Sequence, residues 1–150
     1  MYTKTLYAGW GDMDFNSHMK NTAYLDKSAD VRQMYLIEHG FPVEEFLRLQ
    51  IGPVIQKDEL EYFKEVRLQE AITVTYALAG HAPDGSRFLL RHEIFRGDGE
   101  LSARVTSAGG WMHLVERRLV APPPALLAAM SSLDKTSDFA VLPSSIKPRG

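Results

Sequence analysis

Two aspartates stand one residue apart in Asp12-Met13-Asp14, followed by Asn16, His18, Lys20 and Asn21. Carboxylate, imidazole and amide within ten residues can move a proton, hold a cation or cap a helix. As a calcium loop the segment fails. Asp12, Asp14 and Asn16 match the first three ligand positions, but Ser17 stands where glycine is required and Ala23 where the bidentate glutamate belongs. Asp12, Asp14 and His18 are chemically adequate for a transition metal. Asp and Asn also gather in turns for purely local reasons. What sets this segment apart is its place. It joins a β-like N-terminal stretch directly to the start of the longest helical pattern. Amide N–H groups at a helix start lack acceptors and carry partial positive charge. One acid beside two or three such donors is the least equipment needed to add water to an activated acyl group.

Other chemistries are excluded by what the 150 residues lack. There is no cysteine, so disulfides, thiolate metal sites and a thiol nucleophile are all absent. No Gly-x-Ser-x-Gly elbow, Walker loop or His-Glu-x-x-His pair occurs. A net charge of −2 gives no basic excess for nucleic acid. Met1–Trp10 carries no apolar targeting stretch, and the apolar run Leu119–Met130 is broken by Pro122, Pro123 and Pro124. The expected partners therefore include neither nucleic acid nor membrane, and the expected location is the cytoplasm.

The elements that must position the segment follow from periodicity. Met1–Gly9 alternates as a strand, and Asn21–His39 carries a helical stripe of Tyr24, Leu25, Ser28, Val31, Tyr35 and Leu36, closed by Gly40 and Pro42. A short helix is expected at Pro42–Leu49. Strands are expected at Val54–Phe63, Ile72–Ala79, Phe88–Arg96 and Leu101–Val115, with turns at Asp84-Gly85 and Asp98-Gly99. A second short helix is expected at Ala125–Met130. One domain over residues 1–130 is expected, and the Ser-, Lys- and Pro-rich residues 131–150 read as a partly disordered tail. A single long helix can hide its stripe only if a sheet wraps it. The fold class is α+β, a curved antiparallel β-sheet around one long central α-helix, the hotdog arrangement.

Trp10-Gly-Asp-Met-Asp14-Phe-Asn-Ser-His18-Met-Lys-Asn21-Thr-Ala-Tyr24 resembles the signature of hotdog-fold acyl-CoA thioesterases of the 4-hydroxybenzoyl-CoA type. Trp10, Gly11, Asp12, Asp14, His18, Asn21 and Tyr24 match with spacing intact. Weaker agreement runs on through Glu61-Tyr62-Phe63. The resemblance implies hydrolysis of an acyl-CoA thioester to a free acid and coenzyme A. It implies no metal and no cofactor beyond the coenzyme A of substrate and product. It also implies a homodimer, alone or paired into a tetramer, with active sites at the subunit interface. Asp14 aligns with the catalytic carboxylate, as nucleophile or as general base on water, and Asn21 falls where a backbone N–H polarises the carbonyl. His18 counts with Asp14 and Asn21 among the expected catalytic residues, where with Tyr24 it would shape and orient the loop, and Asp12 would brace it.

Two residues depart from the pattern. Ser17 replaces a glycine, the residue that takes positive φ without cost, and Lys20 replaces an asparagine. Lys20 places a cation near the mouth, where an acidic acyl chain or the phosphates of coenzyme A would meet it. Asp12, Asn16, Lys20, Tyr24 and Glu59 are the expected substrate contacts, with Arg117 and Arg118 as the best paired phosphate anchors. Trp111 and Met112 read as core or interface, and His39 and His113 as structural. The rival reading is a hotdog module that binds an acyl-CoA or acyl-carrier thioester without hydrolysing it. A dehydratase is disfavoured, because the signature is the thioesterase's.

Overall fold

A computed structural model describes residues 1–147. β1 (Tyr2–Tyr7) alternates half-buried and exposed, as its sequence does. A 3₁₀ turn at Trp10–Asp12 then leads to α1 (Ala23–Glu38), which ends at Gly40 with φ of 87°. α2 (Val43–Leu49) is followed by four long strands: β2 (Ile51–Tyr62), β3 (Ala71–His81), β4 (Arg87–Phe95) and β5 (Leu101–His113). Positive φ at Gly85 and Gly99 makes the two tight turns expected from Asp-Gly. β6 (Leu119–Val120), α3 (Pro124–Ser131) and β7 (Lys135–Val141) complete the chain.

The sheet order is β1-β3-β4-β5-β2, with antiparallel neighbours throughout; β6 pairs with β5 and β7 with β3. α1 buries Ala23, Tyr24, Ser28, Val31, Tyr35 and Leu36, close to the expected stripe. These join one core with Ile72, Val74 and Tyr76 of β3 and Val105 and Trp111 of β5. Tyr35 meets Tyr76 edge-on at 5.4 Å and donates its hydroxyl to the Ala129 carbonyl, which ties α1 to α3. Each such large side chain contributes about 1.5–3 kcal/mol on burial, so the start of α1 is held on a firm base. Among the described residues no helix is long and apolar enough to cross a membrane.

Two expectations need correction. The helix expected over Asn21–His39 is 16 residues long and begins at Ala23. The Ala23 amide closes a tight turn onto Lys20, and the first bond from an amide to the carbonyl four residues back is that of Asp26 to Thr22. The second concerns the tail. Residues 135–141 form a strand lying parallel to β3, with Gly80 opposite Ala140 and His81 opposite Val141. Their polar side chains find partners on the sheet: Arg91 Nη1 donates to both carboxylate oxygens of Asp138, at 2.6 and 2.8 Å. Farther along, Ser144 donates to Asp84. Any Cβ on Gly80 would approach the Ala140 carbonyl at 3.1 Å, so the missing side chain admits the strand. Composition reads polarity, and polarity here is satisfied by pairing. Residues 148–150, also within the expected tail, lie outside the described residues.

Candidate active site

Loop 9–21 is braced before it is functional. Asp12 accepts the Gly9 amide at 2.8 Å and pairs with Lys27 of α1 at 2.8 Å. Its carbonyl accepts the Lys20 amide at 2.7 Å. Burial works to raise the Asp12 pKa, but the Lys27 hydrogen bond and the Gly9 amide outweigh it and hold the carboxyl below its ordinary range. Both side chains are mostly covered, at 21% and 14% exposure. Lys27→Met should therefore cost about 1–2 kcal/mol near neutral pH. A depressed carboxyl contributes its stability above the unfolded pKa of about 3.9 and loses it as pH falls through the lower folded value. The gap in urea midpoint between wild type and Lys27→Met should therefore narrow as the pH falls below the unfolded value of about 3.9.

Asp14 closes a tight turn of its own. Its amide donates to the His18 carbonyl at 2.8 Å, while its Oδ1 accepts the amides of Asn16 at 2.8 Å and His18 at 3.1 Å. Oδ2 takes no donor among the described residues, and the residue is exposed. Ser17 has φ of 62°, so the loop keeps the left-handed turn that glycine would make freely. A non-glycine residue there costs on the order of 1–2 kcal/mol. A β-branched residue suits it worse, so Ser17→Val should lower both melting temperature and any turnover, while Ser17→Gly preserves both. Thermal melts of the two variants check this.

His18 turns away from Asp14: its Nε2 lies 3.0 Å from Glu65. Tyr24 is buried, with its hydroxyl 3.3 Å from Ser102 Oγ, and Ser102 donates onward to the Lys64 carbonyl at 2.7 Å. Burial pushes the Tyr24 phenol pKa up. Tyr62, the last residue of β2, meets Tyr24 edge-on at 5.2 Å and donates its hydroxyl to the Asn21 carbonyl at 2.8 Å. Thr22 offers no side-chain cap to the helix. The Tyr24 and Leu25 amides find no acceptor among the described residues. α1 thus opens with free donors.

The cavity between these groups holds about 310 Å³. Asp14, Asn16, His18, Asn21 and Tyr24 line it, joined by Tyr62, Phe63, Lys64 and Glu65 from the end of β2 and just beyond it. Asp12 and Lys20, both expected at the site, are not among the residues lining it. Glu59 is not at the cavity; it pairs with Lys57 at 2.9 Å on β2. Arg117 and Arg118 lie past the far end of β5, where Arg118 pairs with Glu116. β5 runs 13 residues from near Ser102 to that end, about 40 Å of strand, so one chain does not bring these arginines to Asp14. His39 and His113 are structural: the first stacks on Tyr35 at 3.9 Å, and the second accepts the Glu116 amide. Trp111 is buried in the core. The sequence did show an aromatic pair at Tyr62-Phe63, but alternation along a strand does not say which loop its end will meet.

A larger cavity, about 540 Å³, lies elsewhere on the sheet, where Arg91 pairs with Asp138 and Arg104 with Glu93. Among the described residues no three His, Asp or Glu side chains gather in a metal-holding group. The Asp12, Asp14 and His18 side chains each turn to a different partner. One acceptor oxygen of Asp14 and the unpaired amides at the α1 start are what the cavity offers to chemistry.

A family model described as the thioesterase-like superfamily matches residues 8–130. The L-carnitine dehydrogenase/betainyl-CoA thioesterase of Agrobacterium fabrum is 30% identical over 128 residues, 84% of this chain, and the chain spans 25% of that relative's length. Among solved structures, a Staphylococcus aureus protein in complex with CoA superposes with a TM-score of 0.79 at 22% identity, over 87% of this chain and 81% of that one. A 1,4-dihydroxy-2-naphthoyl-CoA thioesterase from Synechocystis superposes with a TM-score of 0.79 at 15% identity, over 88% of this chain and 96% of that one. The likenesses in structure show a shared fold.

Proposed function

The chain belongs to the thioesterase-like superfamily, and from that premise we propose that it hydrolyses an acyl-CoA thioester to a carboxylic acid and coenzyme A. The observation that carries the reading is the cavity shared by the open Oδ2 of Asp14 and the start of α1. Asp14 either takes a proton from water, whose oxygen then bonds to the thioester carbon, or attacks that carbon itself to give an anhydride that water opens. In both courses the C–S bond breaks and the sulfur leaves as thiolate. Thiolates leave readily, so no strong general acid is required. The negative charge that grows on the carbonyl oxygen meets the free amides at the helix start, donors that are already oriented before reaction. His18 and Asp12 hold the loop through Glu65 and Lys27. Coenzyme A enters with the substrate and leaves as product, and we assign the reaction no other cofactor and no metal.

The working unit we propose is a homodimer formed through β2. This strand is twelve residues long and sits at the end of the sheet order, so one of its edges faces no other strand among the described residues. Long unpaired edges are templates for a second strand. Antiparallel pairing would lay the Tyr62 end of one β2 beside the Ile51 end of its partner, the end from which Arg117 and Arg118 extend. That pairing supplies the route by which those arginines serve a site. Phe15, fully exposed beside Asp14, and Trp10, 81% exposed, suit an apolar cover there. The non-hydrolytic module is the rival that the two departures from the family pattern, Ser17 and Lys20, would favour; of these, Ser17 has a positive φ, which supports an intact turn.

The test is release of free thiol from acyl-CoAs of short, long, aromatic and charged acyl groups. Short groups with a fixed positive charge, betainyl among them, come first on the strength of the Agrobacterium relative's name and of the aromatic rings of Tyr62 and Phe63 at the cavity. One thiol per acid formed supports the reading; no release from any member of the panel rejects it.

A further inference from the structure

Arg32 of α1 donates from Nη1 to Nε2 of His92 on β4, at 3.2 Å. His92 Nδ1 lies 2.8 Å from the Thr75 carbonyl, which can only accept, so Nδ1 carries the ring proton and Nε2 the lone pair. Burial first, and then the Arg32 charge, push the His92 pKa down to about 3. The imidazole is therefore neutral. It fixes the guanidinium in place and cancels none of its charge. No carboxylate forms an ion pair with Arg32 among the described residues, and Asp58 of β2 acts on it only at longer range.

A cavity of about 90 Å³ lies beside this group. Arg32 lines it together with the buried Trp111, Tyr76 and Phe88, and the exposed Gln33 and Pro53 also border it. Trp111 adds a second observation, independent of Arg32. Its Nε1–H is buried and has no hydrogen-bond acceptor among the described residues. A buried donor left unpaired is costly. Tyr76 stacks on the His92 ring at 4.7 Å and stays a neutral phenol, because burial pushes its pKa up. The cavity is thus lined by one cation, one orphaned N–H and no acid.

We infer that this cavity binds a small carboxylic acid in its ionised form, with Arg32 as the ion partner of the carboxylate and the Trp111 indole N–H as a second donor. Two oxygens on one carbon answer two such donors, and the rings beside them suit a short hydrocarbon stem. The site shares no lining residue with the Asp14 cavity. Two sources supply such a group: the acid freed by thioester hydrolysis, and a second carboxylate at the far end of an acyl group. Pro53 stands toward the Ile51 end of β2, which the proposed dimer sets beside the Tyr62 end of the other β2. The dimer therefore brings this cavity toward the Asp14 site of the other subunit. Both sources rest on the hydrolytic reading above; the binding of a carboxylate does not.

The test adds butyrate to the isotope-labelled protein, with butyramide as its uncharged counterpart, and follows the indole N–H signals by NMR. The chain has two tryptophans, Trp10 and Trp111, and loss of one signal in Trp111→Phe assigns them. Butyrate should move the Trp111 signal saturably and leave that of exposed Trp10 in place. Butyramide should move neither. Arg32→Met should weaken butyrate binding about tenfold or more, as expected when a charge-assisted pair is lost. Absence of a saturable Trp111 shift overturns the inference, as does an equal response to butyramide or to inorganic phosphate, and these outcomes need no variant beyond the assignment. Equal butyrate affinity in wild type and Arg32→Met overturns it as well. Thiol release then separates the sources. If the acyl carboxylate is the ligand, Arg32→Met lowers kcat/KM about tenfold more for succinyl-CoA than for butyryl-CoA; if the freed acid is the ligand, the two substrates respond alike. If the wild type releases no thiol from any acyl-CoA, the hydrolytic reading fails, whereas the Trp111 signal still decides whether the cavity takes a carboxylate.

Discussion

Replacing Asp14 with asparagine is expected to lower kcat for acyl-CoA hydrolysis about a thousandfold while KM and melting temperature stay near their wild-type values. The expectation follows from how the two carboxylate oxygens are used. Oδ1 accepts the Asn16 and His18 amides and so holds the turn; Oδ2 meets no donor among the described residues. Asparagine keeps an oxygen in the first role and puts an amide nitrogen, with no basic lone pair, in the second. Structure and chemistry therefore separate. Asp14→Ala removes both, and should add a loss of about 1–2 kcal/mol from two amides left without their acceptor. Comparing the two variants in urea unfolding and in steady-state kinetics distinguishes a carboxylate that reacts from one that only shapes the loop. Equal kcat in wild type and Asp14→Asn would remove Asp14 from the chemistry.

The largest structural effect is expected at Gly109, far from any reacting group. There β5 and β2 approach so closely that a Cβ would sit 2.0 Å from the Val54 carbonyl oxygen and about 3 Å from the backbone of Ile55. The obstacle is backbone, not a side chain that can swing aside. Gly109 also lies opposite Ile55, beside the irregularity where Gln56 drops out of the pairing between β2 and β5. Gly109→Ala must therefore push β2 away from the sheet, at a cost of about 3 kcal/mol or more. Since the end of β2 forms one wall of the Asp14 cavity, catalysis should suffer with stability. The urea midpoint and the melting temperature of Gly109→Ala check the first effect, and thiol release checks the second. A midpoint within experimental error of wild type would contradict this account of how β2 is seated.

Much of the fold was legible because its signals are local. The stripe on α1, the turns at Gly85 and Gly99 and the long strands each follow from spacing or from a residue type that suits one conformation. The start of α1 and the tail were not, for a common reason. Both depend on partners remote in sequence: Asn21 on Tyr62, and Asp138 on Arg91. The same division runs through the site. Asp14, Asn16, His18, Asn21 and Tyr24 come from one continuous motif and line one cavity. Tyr62 and Glu65 reach it only through the antiparallel return of the chain, and Arg117 and Arg118 end far from it within the chain. Ser17 shows the reverse case. Its departure from glycine reads as a threat to the turn, yet serine keeps the left-handed conformation in a turn whose flanking Asn16 and His18 amides donate to the Asp14 carboxylate.

The central claim, that Asp14 acts on a thioester beside the start of α1, is tested most directly by a single-turnover experiment. Enzyme in excess over a hydrolysable acyl-CoA is mixed, and free thiol and bound acyl-CoA are followed in the same sample, for wild type and Asp14→Asn. The wild type is expected to release one thiol per acyl-CoA, while Asp14→Asn binds the acyl-CoA and leaves it intact on that timescale. Equal thiol release by both proteins, or tight binding by both with no thiol released by either, would contradict it.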